Sequence, residues 1–160
     1  MFDVFGEFDS WEEINMAADG LFNEGDLNNI KVLAKENGIP EELVTMFTDG
    51  EIPTLCDAET AAIGKIEVES AELKVVEIMS DWVEYIKSQC MANEKIRLAV
   101  RRKNKNLKGC IAEILKWSFK NQNDIDKDII KAAGVSASRV TLGIPGMGTA
   151  KKMIKKYYLG

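Results

Sequence analysis

The stretch Val75-Val76-Glu77-Ile78-Met79-Ser80-Asp81-Trp82-Val83-Glu84-Tyr85-Ile86 decides the fold class. Its apolar residues Val75, Ile78, Met79, Trp82, Tyr85 and Ile86 recur at spacings of three and four. That is the period of a helix with one buried face, not the alternation of a strand. The stretch belongs to a longer apolar-periodic, proline-free segment, residues 54–90. Gly64 and the Glu67–Ser70 region are where this segment is expected to break or bend.

Upstream the same period continues. Phe2, Phe5 and Phe8 are spaced as one apolar helical stripe. Ser10 followed by Glu13 is a capping box, with Trp11 opening the helix. Ile14, Ala18, Leu21 and Phe22 share its apolar face up to a stop at Gly25. Asp26 caps a second helix carrying Leu27, Ile30, Leu33 and Ala34. Asn37-Gly38 ends that helix, with Ile39 placed for a Schellman contact. Pro40 suits the first position of a third helix that runs to Asp49-Gly50.

Downstream, a helix is expected over Glu94–Val100. Another carries Leu107, Cys110, Ile111, Ile114, Leu115 and Phe119, and a short one spans Ile125–Ala133 and ends at Gly134. Thr141–Gly148 reads as a flexible, glycine-rich connector, and Thr149 as the cap of a last basic helix through Tyr158. Met16, Met79, Trp82 and Trp117 read as core. The expected fold is all-α: a compact bundle of roughly seven to nine short and medium helices. Residues 1–50 would form a small acidic helical subdomain, and residues 51–160 the main helical domain with a basic C-terminal part.

Composition removes several functions. The 160 residues contain no histidine, so Ser-His-Asp and Cys-His catalysis and imidazole metal sites are excluded. Cys56, Cys90 and Cys110 lack zinc-knuckle spacing, and their odd number argues against a disulfide framework. They read as reduced, half-buried thiols of a cytoplasmic protein. Met1-Phe2-Asp3 opens without a secretory signal pattern, and no window is apolar enough to span a membrane. No cofactor or metal is expected.

The net charge of −5 conceals a split. Residues 1–90 hold 21 Asp and Glu against 5 Lys and Arg, a local charge of −16. Residues 91–160 hold 16 Lys and Arg against 5 Asp and Glu, a local charge of +11. Such asymmetry points to polyanion or basic-partner contacts. Three readings stand. The halves fold together and neutralise each other. Or the basic half binds nucleic acid through Arg101, Arg102, Lys103, Lys105 and Lys108 and through Lys151, Lys152, Lys155 and Lys156. Or the acidic half, with Asp3, Glu7, Asp9, Glu12 and Glu13, imitates a nucleic-acid backbone in another protein's basic groove.

Among local motifs, residues 125–142 have a helix-turn-helix pattern. Gly134 would take the left-handed turn position, and Ser136 would cap a second helix of about seven residues. The alternative is a helix C-cap followed by an ordinary turn. Gly143, Gly146 and Gly148 precede a basic helix but fit neither the P-loop nor the dinucleotide fingerprint. Glu12-Glu13 and Glu41-Glu42 sit at helix starts, where they favour the helix dipole. Asp124, Asp126 and Asp128 alternate as in a calcium loop but lack its glycine and distal glutamate. No enzyme active site is visible.

Two resemblances add to this reading. The opening Met1-Phe2-Asp3-Val4-Phe5-Gly6-Glu7-Phe8-Asp9-Ser10, the block Asp81-Trp82-Val83-Glu84-Tyr85-Ile86 and the ending Gly143–Gly148 through Tyr157-Tyr158 resemble proteins encoded on mobile elements of gut Firmicutes. Lys105-Asn106-Leu107-Lys108-Gly109-Cys110-Ile111-Ala112-Glu113-Ile114-Leu115 resembles the Leu-Lys-Gly-Cys helix of PcfK-like plasmid proteins. Some of those are grouped with anti-CRISPR inhibitors of the type II RNA-guided nuclease. Their aromatic-rich acidic ending is replaced here by a basic helix. The resemblance implies a non-enzymatic inhibitor that binds a bacterial defence nuclease or its guide-RNA complex in the host cytoplasm, with a candidate surface around Lys105 and Lys108. The alternative is a DNA-binding accessory or regulatory protein using residues 95–156. An enzyme built on carboxylates or lysine stands third.

Overall fold

The computed structural model describes residues 1–160. It contains nine α-helices: α1 Trp11–Asn23, α2 Leu27–Glu36, α3 Glu41–Thr48, α4 Ala58–Leu73, α5 Ile78–Ala92, α6 Glu94–Arg101, α7 Leu107–Lys120, α8 Lys127–Ala132 and α9 Met147–Leu159. Its only strands, β1 Asn123–Asp124 and β2 Thr141–Leu142, pair antiparallel, Asn123 opposite Leu142. The fold is all-α, as the periodicity implies.

The caps follow the sequence signals. Ser10 Oγ accepts from the Glu13 amide, and Asp26 accepts from Asn29. Glu13 reaches back to the amide of Asp9, one residue before the cap, at 2.8 Å. At the end of α2, Ile39 N–H donates to Ala34 O at 2.8 Å and Gly38 N–H to Lys35 O at 3.3 Å, which is the Schellman pattern. Gly38 supplies the left-handed φ of +65° that this turn needs. Pro40 stands just before α3 rather than inside it.

Two apolar cores share α4. The first gathers Ile14, Ala18, Ile30, Leu33, Val44, Phe47 and their neighbours, together with Leu55, Cys56 and Ala61. The second is built around Ile66, Trp82, Ile86, Val100, Ile114 and Tyr158. Ala61 therefore serves one core and Ala62 the next, one peptide apart on the same helix. Neither core divides at residue 50: the first extends to Ala61.

Gly64 does not break α4. It is where α4 crosses the end of α2. A Cβ at Gly64 would overlap the Asn37 carbonyl oxygen and the Gly38 backbone, and a Cβ at Gly38 would overlap Gly64 in return. The break falls instead at residues 74–77. Lys74 closes α4 with φ 51°, and Glu77 precedes α5 with φ 54°. Neither is a glycine, so each costs on the order of 1 kcal/mol of backbone strain. Val75, Ile78 and Met79 packing onto the second core holds the turn.

Four other expectations are corrected. Residues 1–10 form no helix: Phe5 and Phe8 pack individually on the first core, and the backbone amides of the segment are used elsewhere. Met16 is not core but 72% exposed. The residues after α8 do not form a second helix. They run as an irregular, bent link into β2, so the helix-turn-helix lacks its recognition helix. The antiparallel pair explains this, since Ile125 N–H donates to Val140 O and Asp124 pairs with Arg139 at 2.6 Å. Finally, α9 starts at Met147 behind Gly146, with Thr149 inside its first turn. The connector before it is packed: a Cβ at Gly143 would overlap Gln122 and the Ser118 carbonyl.

Cys56, Cys90 and Cys110 are free and fully buried, deeper than expected. Burial pushes each thiol pKa up to about 12. At pH 8 the thiolate fraction is then about one part in ten thousand. An aromatic disulfide reagent is expected to titrate no thiol in the native protein and all three after denaturation. Fast native labelling would show that the packing over one of these thiols opens.

Candidate polyanion interface

The predicted acidic and basic residues divide into a group that meets inside the protein and a group that stays outside. The inside group is built around Lys65, whose side chain is 0% exposed. Its Nζ donates to the carbonyls of Arg102 at 2.7 Å and Lys105 at 2.9 Å. It pairs with Glu7 at 2.6 Å and lies 3.8 Å from Glu69. Glu69 accepts from the Leu107 amide at 2.7 Å, and burial raises its carboxyl above the usual range against the pull of that amide and Lys65. A lysine inside α4 thus ties the acidic N-terminal segment to the basic link between α6 and α7.

The N-terminal segment is strapped down at several points. The Glu36 carboxylate accepts from the amides of Asp3, Val4 and Phe5 at 3.0, 2.6 and 3.1 Å. Asp9 accepts from the amide of Lys103 at 2.9 Å. Asp3 also meets the N-terminal ammonium at 3.3 Å. Among the predicted acids, only Glu12 has no such bond, while Glu13 is spent on the cap described above.

Arg101 was expected in a binding surface and is instead buried, 2% exposed. Its Nη2 donates to Asn37 Oδ1 at 2.7 Å, and the Phe2 ring lies 5.8 Å from its guanidinium carbon. The cause is the amphipathic phase of α6, in which Ile96, Ala99, Val100 and Arg101 all turn inward. Lys105 is also structural: its Nζ donates to Tyr157 O at 2.6 Å and sits 5.2 Å from the Tyr157 ring. Arg102, Lys103 and Lys108 are exposed. At this seam the two charged halves neutralise each other.

The outside group lies on α7 and α9. The Tyr157 hydroxyl accepts from the Asn106 amide, which sets the end of α9 beside the start of α7 in an antiparallel pair. Lys151, Lys152, Lys155 and Lys156 are all exposed on α9. Lys151 lies 5.1 Å from the Tyr85 ring. Lys116 and Lys120 are exposed on α7 one turn apart, and sequence inspection passed over them. Their i, i+4 spacing on an amphipathic helix was the available signal. Glu113 sits among them: its hydrogen bond to Lys116 at 2.6 Å, with the charges of Lys120 and Lys156, holds its carboxyl below the usual range. These six exposed lysines thus lie on the paired helices α7 and α9, and three of them, Lys116, Lys120 and Lys156, act on the Glu113 carboxylate.

Such a ridge attracts the phosphate backbone without reading bases. No three Cys, Asp or Glu side chains converge in an arrangement that would hold a metal ion. No helix is long and apolar enough to cross a membrane. No family model, curated relative or solved structure matches the chain.

Proposed function

We propose that the chain is a non-enzymatic binding protein of a mobile element that engages nucleic-acid phosphates through the α7/α9 lysine ridge, as an inhibitor of a type II RNA-guided nuclease in the bacterial cytoplasm. The observation that carries the binding reading is the exposure of those six lysines on the paired helices α7 and α9, with Lys116, Lys120 and Lys156 acting together on Glu113. The resemblance of Lys105–Leu115 to PcfK-like proteins supplies the class of target. These residues span the link before α7 and its first turns, next to Tyr157 of α9.

A second reading rests on the same ridge: a DNA-binding accessory protein of the element that holds free duplex. Without a recognition helix between α8 and β2, both readings make nucleic-acid contact tolerant of sequence.

The ridge makes a quantitative expectation. The logarithm of duplex or heparin affinity should fall linearly with log salt. The Lys152→Ala/Lys155→Ala/Lys156→Ala variant should weaken binding at least about tenfold and make the salt slope about 3 units shallower. An unchanged slope rejects the ridge. Pull-down with a purified type II effector, with and without guide RNA, and a target-cleavage assay then separate the readings. Binding with loss of cleavage supports the inhibitor. DNA binding with no effector association supports the accessory protein. Inhibition that survives the lysine substitutions would shift the contact to the acidic half.

A further inference from the structure

The exposed faces of α1 and α7 are unlike each other and complementary. On α1, Glu12, Met16, Asp19, Gly20 and Asn23 form one solvent-facing stripe, and the helix has no basic residue. Met16 projects from it, 72% exposed. Gly20 lies in the last turn of the helix with nothing within 4 Å of the position a Cβ would take. A glycine there weakens the helix relative to alanine, and neither the turn geometry nor any neighbour within the chain requires it. What it leaves is a notch where another surface can approach the backbone.

On α7, Leu115 and Phe119 stand one turn apart, 56% and 76% exposed, flanked by Lys116 and Lys120. Leu115 also borders a groove of about 340 Å³ whose wall includes Trp82. The Trp82 indole N–H has no acceptor within the fold. An apolar ridge with cations beside it fits a helix that carries an apolar knob, a notch and anions at the same one-turn repeat.

We infer that a second copy of this chain lays the exposed stripe of its α1 along α7, with Met16 and Gly20 meeting Leu115 and Phe119, and Glu12 and Asp19 meeting Lys116 and Lys120. The two surfaces differ, so the contact is head-to-tail: it closes into a ring or extends with concentration. This inference goes beyond the polyanion reading. It shares Lys116 and Lys120 with it, so polyanion and self-contact compete.

The test uses the full chain without nucleic acid, which keeps its outcome independent of the polyanion reading. Light scattering after size exclusion at low salt should give a mass above 17.8 kDa that rises with concentration. It should return to the monomer at about 0.5 M salt, where exposed charges are screened. Lys116→Glu/Lys120→Glu and Glu12→Lys/Asp19→Lys should each weaken association about tenfold or more, and mixing the two variants should restore it. Gly20→Gln should weaken association while raising Tm, because glutamine is the better helix former. A mass that stays monomeric overturns the inference. So does association that survives either charge reversal or Gly20→Gln, or a mixture that fails to associate.

Discussion

Gly64→Ala is expected to lose on the order of 3 kcal/mol of stability, a fall of about 10 °C in Tm. The new methyl meets backbone, not a flexible side chain: the Asn37 carbonyl and the Gly38 peptide. Neither can swing aside, because Asn37 and Gly38 are held by the Schellman bonds that end α2. The helices must separate, and α4 belongs to both cores. Gly20→Ala is the matched control, a helix-interior glycine in open space, and is expected to gain about 0.5–1 kcal/mol. Urea unfolding of both variants checks the pair. A Gly64→Ala variant as stable as the parent would mean that the α2–α4 crossing is looser than described.

Lys65→Met is expected to cost about 3–5 kcal/mol, because it strands Glu7 and Glu69 and leaves two carbonyls without their donor. The side chain has similar length, so packing alone does not produce the loss. Adding Glu7→Gln removes one stranded charge, and the double variant should lose less than the two single variants together. Limited proteolysis should also cut within residues 1–10 sooner in Lys65→Met than in the parent. A loss below about 1 kcal/mol would remove Lys65 from its role as the tie between strap and link.

The parts of the fold legible in sequence are those written locally. Ser10, Asp26 and the Asn37-Gly38-Ile39 turn act over four to six residues, and each is found where its signal lies. The α4–α5 break was not legible, since Lys74 and Glu77 take left-handed φ without the glycine that usually marks it. Gly64 misled for the opposite reason: it carries a crossing with a residue 26 positions away, not a local bend. The second helix expected between α8 and β2 does not form because Val140, Thr141 and Leu142 are paired with Ile125, Asp124 and Asn123, a tertiary demand that overrides capping propensity.

The candidate site divides the same way. That Lys151, Lys152, Lys155 and Lys156 are exposed follows from the phase of α9 around Ala150, Ile154 and Tyr158. That Arg101 and Lys105 are internal does not follow from charge counting, because their partners Asn37 and Tyr157 lie 64 and 52 residues away. Periodicity shows which face a residue takes, and it does not show what that face meets.

The strap also gives synthesis of the chain an order. Glu36, which gathers the amides of Asp3, Val4 and Phe5, is made about thirty residues after them, Lys65 later still, and Lys103 lies 94 residues beyond Asp9. At about 5–20 residues per second, the acidic opening segment waits roughly 5–20 s on the ribosome before its last anchor exists. Through that interval Phe5 and Phe8 can settle on the first core, which is complete at Ala61, while Phe2 waits for Arg101.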